Sequence, residues 1–307
     1  MVWEDAALKH AVSVSLGSSK RDTDQVIELL GEQVRIERRG VDGDVGAACR
    51  LIAQIDGQVD AIGLGGLDLY IQWAGRRYHL RQARSMASAA SRTPVVCGAG
   101  LKHTLERRTI ALLEPSVGWR ERRVLMAAAI DRFGMTEALL QHGADVRFGD
   151  LAFALGVPVF LRSARVFDAV ARTLAPIVVR LPIKWVYATG SAQDRSETSE
   201  RYAGAFAWAE VVAGDWHLIR RHVPARLDGL TVLTNTTTRD DVAFLRRAGA
   251  ARLVTTTPRY GGRSLATNLL EAALVAINGG PLDAAAYERS LDAMAYRPTE
   301  IPLDGDA

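Results

Sequence analysis

Three glycine-rich turns in the first half of the chain carry side chains able to hold a carboxylate, a phosphate or a polyol. They are Gly17-Ser18-Ser19-Lys20-Arg21-Asp22, Gly63-Leu64-Gly65-Gly66-Leu67-Asp68 and Gly98-Ala99-Gly100-Leu101-Lys102. Small residues let backbone N–H groups approach a ligand closely, hydroxyls add donors, and lysine or arginine supplies charge. Ser18, Ser19, Lys20, Arg21, Gly65 and Gly66 are therefore the expected substrate-binding set. In the second half, the runs Thr234–Thr238 and Thr255–Ser264 each follow an apolar, strand-like stretch. Hydroxyls just past a strand end act as helix caps or as ligand donors. Asn235, Thr236, Thr255, Thr256, Arg259 and Arg263 thus form a candidate wall for an anion or a ribose, with Asn268 one turn into the next helix.

A second pattern points to a nucleotide. The segment Val124–Ile130 leads through Asp131-Arg132-Phe133-Gly134 into a helix, and Asp150 closes the following strand. That is where a nicotinamide-binding βαβ unit places its ribose carboxylate and its close-packing glycine, so Gly134 and Asp150 join the candidate cofactor contacts. The first two glycines of G-x-G-x-x-G are missing, and bulkier Asp131 and Arg132 occupy the turn. Ordinary strand-to-helix turns with solvated arginines account for the same residues without any ligand. His217 and His222 have no Cys, Asp or Glu partner in a zinc spacing, so no metal is expected. Neither a hydrolase elbow G-x-S-x-G nor an NTPase loop G-x-x-x-x-G-K-[ST] occurs.

Short β-rich runs alternate with longer segments of helical spacing, the pattern of layered α/β architecture. The expected strands are His10–Leu16, Val59–Leu64, Thr93–Cys97, 123–130, 145–150, Ile183–Ala188, 231–235 and 251–257, with hairpins around Gly31 and near Ala74–Gly75. Helices are expected over 43–56, Leu101–Leu113, 134–144, 163–175, Tyr202–Val212, 239–250 and 264–277, and the polar run Gly190–Glu200 reads as a surface loop. The break at Glu114–Arg122 suggests two domains: an α/β substrate-binding domain over 1–117 and a Rossmann-like, doubly wound domain over 118–307.

The 307 residues carry 38 Lys+Arg against 35 Asp+Glu, a formal charge of +3, and 48% are hydrophobic, as in a globular protein with a sizeable core. The arginine pairs are scattered, which speaks against nucleic acid as a partner. Only two cysteines, Cys49 and Cys97, are present, and no 18-residue apolar run or secretory h-region is visible. A cytoplasmic protein without a membrane span is expected, its partner a small anionic or polyol molecule and a homo-oligomer an open assembly.

The segments SVSLGSSKRD, DAIGLGGLDLY, TPVVCGAGLKHTLERR, RVLMAAAIDRFGM and LVTTTPRYGGRSLATNLLEAAL resemble, over almost the whole chain, bacterial proteins labelled quinate 5-dehydrogenase. The label implies a relation to shikimate/quinate dehydrogenases: a substrate domain, a Rossmann domain, NAD or NADP in the cleft, and a Lys–Asp pair at the carbinol. The resemblance assigns the lysine to Lys102, acting as proton relay, and its orienting carboxylate to Asp68 or Asp131. The family's Ser-x-Ser pair has its nearest counterpart in Ser18–Ser19 or Ser13–Ser15. The family's glycine loop G-x-G-G-A and its N-V-T-x-P segment have no counterpart here. The expectation adopted is an NAD(P)-dependent oxidoreductase acting on quinate- or shikimate-like ring acids. Its alternative is a two-lobed protein that binds an anionic metabolite or a nucleotide, or a transferase without hydride chemistry.

Overall fold

The computed structural model describes residues 8–73, 75–181, 198–260 and 263–304. The first lobe is built from β1 (Lys9–Ser15), β2 (Thr23–Leu29), β3 (Glu32–Gly40), α1 (Val45–Ile55), β4 (Ala61–Gly65), β5 (Tyr70–Trp73), β6 (Arg76–His79), α2 (Arg81–Ala87), β7 (Val95–Val96) and α3 (Ala99–Val117). Its sheet has the order β2-β3-β1-β4-β7, parallel except for β2, while β5 and β6 pair separately. β1 shows how the sequence dictates this. Its alternate residues Val12 and Val14, with Leu16 just past its end, enter the core beneath α1, whereas Ala11 faces the opposite core, and Ser13 and Ser15 share Ala11's face by the two-residue period. The β2–β3 turn needs left-handed backbone at Leu30 and Gly31, with φ of 56° and 81°, which a primed hairpin turn requires.

The second lobe contains β8 (Arg123–Met126), α4 (Phe133–Gln141), β9 (Asp145–Phe148), α5 (Asp150–Phe153), α6 (Ala164–Val178), α7 (Ala203–Trp208), β10 (Val211–Ala213), α8 (Trp216–Arg220), β11 (Thr231–Thr234), α9 (Arg239–Arg247) and β12 (Arg252–Thr255). The chain then forms the short pair β13 (Arg259–Tyr260) and β14 (Arg263–Ser264), followed by α10 (Thr267–Asn278), α11 (Ala284–Ala293) and β15 (Thr299–Pro302). The second sheet runs β15-β12-β11-β10-β8-β9, with only β15 antiparallel. The protein is a mixed α/β, two-lobed molecule with largely parallel sheets.

Several expectations need correction. In the second sheet the five parallel strands stand in the order 2-1-3-4-5, the flavodoxin-type doubly wound arrangement and not the Rossmann one; the order itself was not legible in the sequence. The helix expected over 202–212 is instead the short α7 followed by the central strand β10. β8 stops at Met126, so Ala127–Ile130 belongs to the turn. The helix expected to end at Leu113 continues to Val117, with Pro115 in its last turn. The strand expected at 183–188 lies outside the described residues.

A single boundary after residue 117 does not describe the lobes either. α10 packs back onto the first sheet, burying Leu269, Leu270 and Ala273 in one core with Ala11, Ile36 and Ala61, and α11 packs on α3 and adds Leu291 to that core. α3 places Leu101 and Leu105 in that core and Ile110 and Leu113 in the core of the second lobe. α6 divides likewise, with Phe167 and Ala171 in the second lobe and Ala175 in the first.

Candidate functional site

Both sheets direct the carboxyl ends of their parallel strands at one cavity of about 490 Å³, the place where ligands collect in open α/β sheets. The first lobe contributes Ser13, Ser15, Arg21, Arg38, Gly65 and Asp68, and the second Asp131, Asp150, Asp215, His217, Asn235 and Thr236. Residues 264–269, the entry to α10, form part of the same wall. Arg21 Nη1 meets His217 Nε2 at 3.3 Å, joining the two sides. One face of α6, with Phe167, Ala171, Leu174 and Val178 at helical spacing, makes an apolar flank.

Lys102 is a buried charge in the cavity wall. Its Nζ donates to Asp68 Oδ2 at 2.6 Å and to the Asp131 main-chain oxygen at 3.2 Å, and lies 3.4 Å from Asp131 Oδ1. The three residues expected to carry chemistry are thus brought together. Burial works against the Lys102 charge, but Asp131 and Asp68 outweigh it and hold the ammonium protonated. Burial likewise opposes ionisation of Asp131, and Lys102 and Arg132 overcome it. Asp68 is raised by burial, only partly opposed by Lys102, and its carboxyl hydrogen-bonds to Asp131. Beside them Arg132 Nη1 donates to Glu106 Oε1 at 2.8 Å and Nη2 to Asp215 Oδ2 at 2.9 Å. These bonds run from α3 of the first lobe to the β8–α4 and β10–α8 turns of the second, so the network ties the lobes together.

The expected nucleotide turn is closed by the protein's own carboxylates. Asp150 does not project toward a ribose: its Oδ2 accepts from the Ala129 amide at 3.0 Å and its Oδ1 from the Ile130 amide at 3.2 Å. Burial raises its pKa to about 6 against the pull of those amides. Glu106 Oε2 accepts from the Met135 amide at the start of α4. Three amides of this turn are therefore already taken by the protein's own carboxylates, and the expected ribose contact Asp150 is turned inward onto two of them, so these residues do not fit a dinucleotide. Gly134 serves packing instead, since a Cβ there would lie 2.5 Å from the His103 carbonyl oxygen of α3.

The remaining expected contacts separate into two groups. Gly65, Gly66, Arg21, Asn235 and Thr236 line the cavity. Ser18 is buried and caps the short turn Ser19–Arg21, while exposed Ser19 binds Asp42 through both its amide and its hydroxyl, and Lys20 is exposed. These three do not line the cavity; Ser13 and Ser15 do. Thr255 and Thr256 are buried at the end of β12 and outside the cavity lining, and the Thr256 carbonyl accepts from the Tyr296 hydroxyl at 2.7 Å. Arg259 Nη1 donates to Thr237 Oγ1 at 3.2 Å, so it braces the threonine turn. The Arg263 side chain lies outside the described residues. Thr23, Gln25, Arg38, Asp215 and Thr267 were not anticipated. For Ser13 and Ser15 the signal was legible: two hydroxyls alternating in a central buried strand require a reason.

Residues 100–302 match the model of a family described as a domain of unknown function, DUF8754. The chain belongs to this family. Residues 10–97 match a second model of the same description, DUF8753. No curated protein matches the sequence. Among solved structures, a sugar ABC transport substrate-binding protein from Bordetella parapertussis is 13% identical, covering 97% of this chain and 91% of that one at a TM-score of 0.38. A periplasmic ribose ABC transporter from Conexibacter woesei is 10% identical over 94% and 96% of the two chains, TM-score 0.36. A solute-binding protein from Agrobacterium vitis with bound allitol is 12% identical over 96% of each, TM-score 0.35.

These findings replace the expected kinship with shikimate/quinate dehydrogenases, and with it the oxidoreductase reading. The family model that covers most of the chain is one of unknown function rather than a dehydrogenase family, and the turn expected to seat the nicotinamide is occupied by Asp150 and Glu106. The cytoplasmic expectation is not carried further. Among the described residues no helix is long and apolar enough to cross a membrane.

Proposed function

We propose that the chain is a two-lobed binding protein that holds one small, hydroxylated metabolite in the cavity between its sheets. The observation that carries this reading is the convergence of hydroxyl, amide and cationic groups from both lobes on one cavity of about 490 Å³, a size suited to a small ligand. Ser13 and Ser15 present hydroxyls from β1, Asn235 and Thr236 an amide and a hydroxyl from the end of β11, and α6 an apolar flank. That mixture of a few placed polar groups with an apolar wall fits recognition of a hydroxylated molecule with one less polar face.

The test is a thermal-shift and calorimetric screen of sugars, polyols, aldonic acids and sugar phosphates, with native mass spectrometry of the purified protein for a retained ligand. A true ligand raises the unfolding midpoint in proportion to its saturation. Ser13→Ala and Asn235→Ala, one from each lobe, should each weaken its binding by about tenfold, the loss expected for one hydrogen bond in a buried site. A ligand whose affinity ignored both substitutions would place binding elsewhere.

A further inference from the structure

We infer that the cavity contains an oxyanion subsite at the amino-terminal end of α10, so that the ligand carries a carboxylate or a phosphate; this rests on the binding function proposed above. α10 begins at Thr267 after an N-cap residue, Ala266, that has no side chain able to cap. Among the described residues, the amides of Ala266, Thr267 and Asn268 donate to no acceptor. A helix of this length leaves such amides at its positive pole, where an anion is favoured. Among the described residues, most helices are closed at that point by a carboxylate or hydroxyl. Asp44 caps α1, Asp215 caps α8, Thr238 and Asp241 form a capping box on α9, and Glu271 accepts from Gly98 and Leu101 at the start of α3. α10 has no such cap and opens onto the cavity.

The second observation is independent of the helix terminus. Thr267 lines the cavity, is only 8% exposed, and its Oγ1 is buried without a hydrogen-bond partner. A buried hydroxyl left unpaired is costly, and native structures rarely tolerate one unless something absent from the chain completes it. Its neighbours make the missing partner an acceptor. Ser15 Oγ accepts from the Gly17 amide at 3.1 Å and from Arg38 Nη2 at 3.0 Å, so both lone pairs are used and its proton remains to be donated. Ser13 Oγ accepts from Asn268 Nδ2 at 2.6 Å, again leaving a proton. A Cβ on Gly65 would lie 2.8 Å from Ser15 Oγ and 3.2 Å from Ser13 Oγ, which places the two hydroxyls over the same glycine. Three hydroxyl protons and three amides, with the Arg38 guanidinium behind Ser15, call for a group that only accepts. A neutral polyol hydroxyl would bring a proton of its own and satisfy fewer of them.

The test compares matched probes on the full chain by calorimetry: gluconate against sorbitol, and glucose 6-phosphate against glucose, with inorganic phosphate alone as the minimal occupant. The anionic member of at least one pair should bind about tenfold or more tightly than its neutral partner, since a hydrogen bond to a charged acceptor is the stronger kind. The isosteric Thr267→Val substitution should weaken the anionic probe several-fold more than the neutral one and so remove most of that preference. Ser15→Ala is the second variant, should Thr267→Val fail to fold. The carboxylate and phosphate pairs tell the two sources of oxyanion apart. Neutral probes that bind as well as the anionic ones, with no effect of Thr267→Val on either, would overturn the subsite and leave the binding function standing. If none of the five probes binds, inorganic phosphate included, the subsite is likewise overturned. The binding function is then decided separately by the wider screen and the retained-ligand measurement.

Discussion

Removing the ammonium of Lys102 would leave the carboxyls of Asp68 and Asp131 facing each other where little water reaches. The Lys102 side chain is 7% exposed and that of Asp68 10%. Breaking one side of a buried ion pair is costly because the partner charge stays behind. Lys102→Ala should therefore destabilise the fold by about 3–5 kcal/mol, read from urea unfolding; a near-neutral result would show that water reaches the carboxyls. His103, the next residue, gives a pH signature. Burial, with Lys102 and Arg107 adding to it, lowers its pKa from 6.5 to about 3. Between those values the unfolded chain takes up the proton and the native one does not, so stability falls as pH drops from about 6.5 toward 3. His103→Gln should flatten that part of the stability–pH profile, measured by denaturation at pH 7 and 5. At this scale the sequence revealed residue types better than directions. The lysine and its two aspartates do meet, but Ser18 caps a local turn and Ser19 binds Asp42, while Ser13 and Ser15 face the cavity because that face of β1 meets α10.

The clearest elements in the sequence were those with strong local signals. β1 and β4 alternate or run apolar to a glycine turn, and α9 carries a capping box ahead of an amphipathic stretch. β10 was hidden because its three residues, Val211–Ala213, follow the alanine-rich run AGAFAWAE. Alanine favours helix, and so short a strand cannot override it in a local reading; its place is fixed only by pairing with β8 and β11 on either side. Gly134 illustrates the same limit. A glycine at the start of a helix after a strand reads as part of a dinucleotide fingerprint, yet here it lets α4 touch the α3 backbone. Gly134→Ala should cost about 1–3 kcal/mol through overpacking of that contact, seen as a lower melting temperature. Unaltered stability would mean that α3 and α4 can separate.

The chain passes between its lobes repeatedly, and two helices, α3 and α6, have side chains in both cores. With the buried Arg132–Glu106 pair across the same seam, this arrangement opposes a wide hinge motion, because bending would pull apolar side chains out of one core or the other. Ligand binding should consequently leave the small-angle scattering radius of the protein unchanged within error, with the cavity formed in advance. A clear contraction on binding would require α3 or α6 to bend. The threading has a further effect during synthesis. The inner face of the first sheet is covered by α10, which the ribosome delivers only after β8–β12 of the second lobe, so a nascent chain exposes Ala11, Ile36 and Ala61 until residues 267–278 emerge. Arrested translation intermediates ending before α10 should accordingly be bound by chaperones and cleaved readily in the first lobe, although every strand of that sheet has already been made.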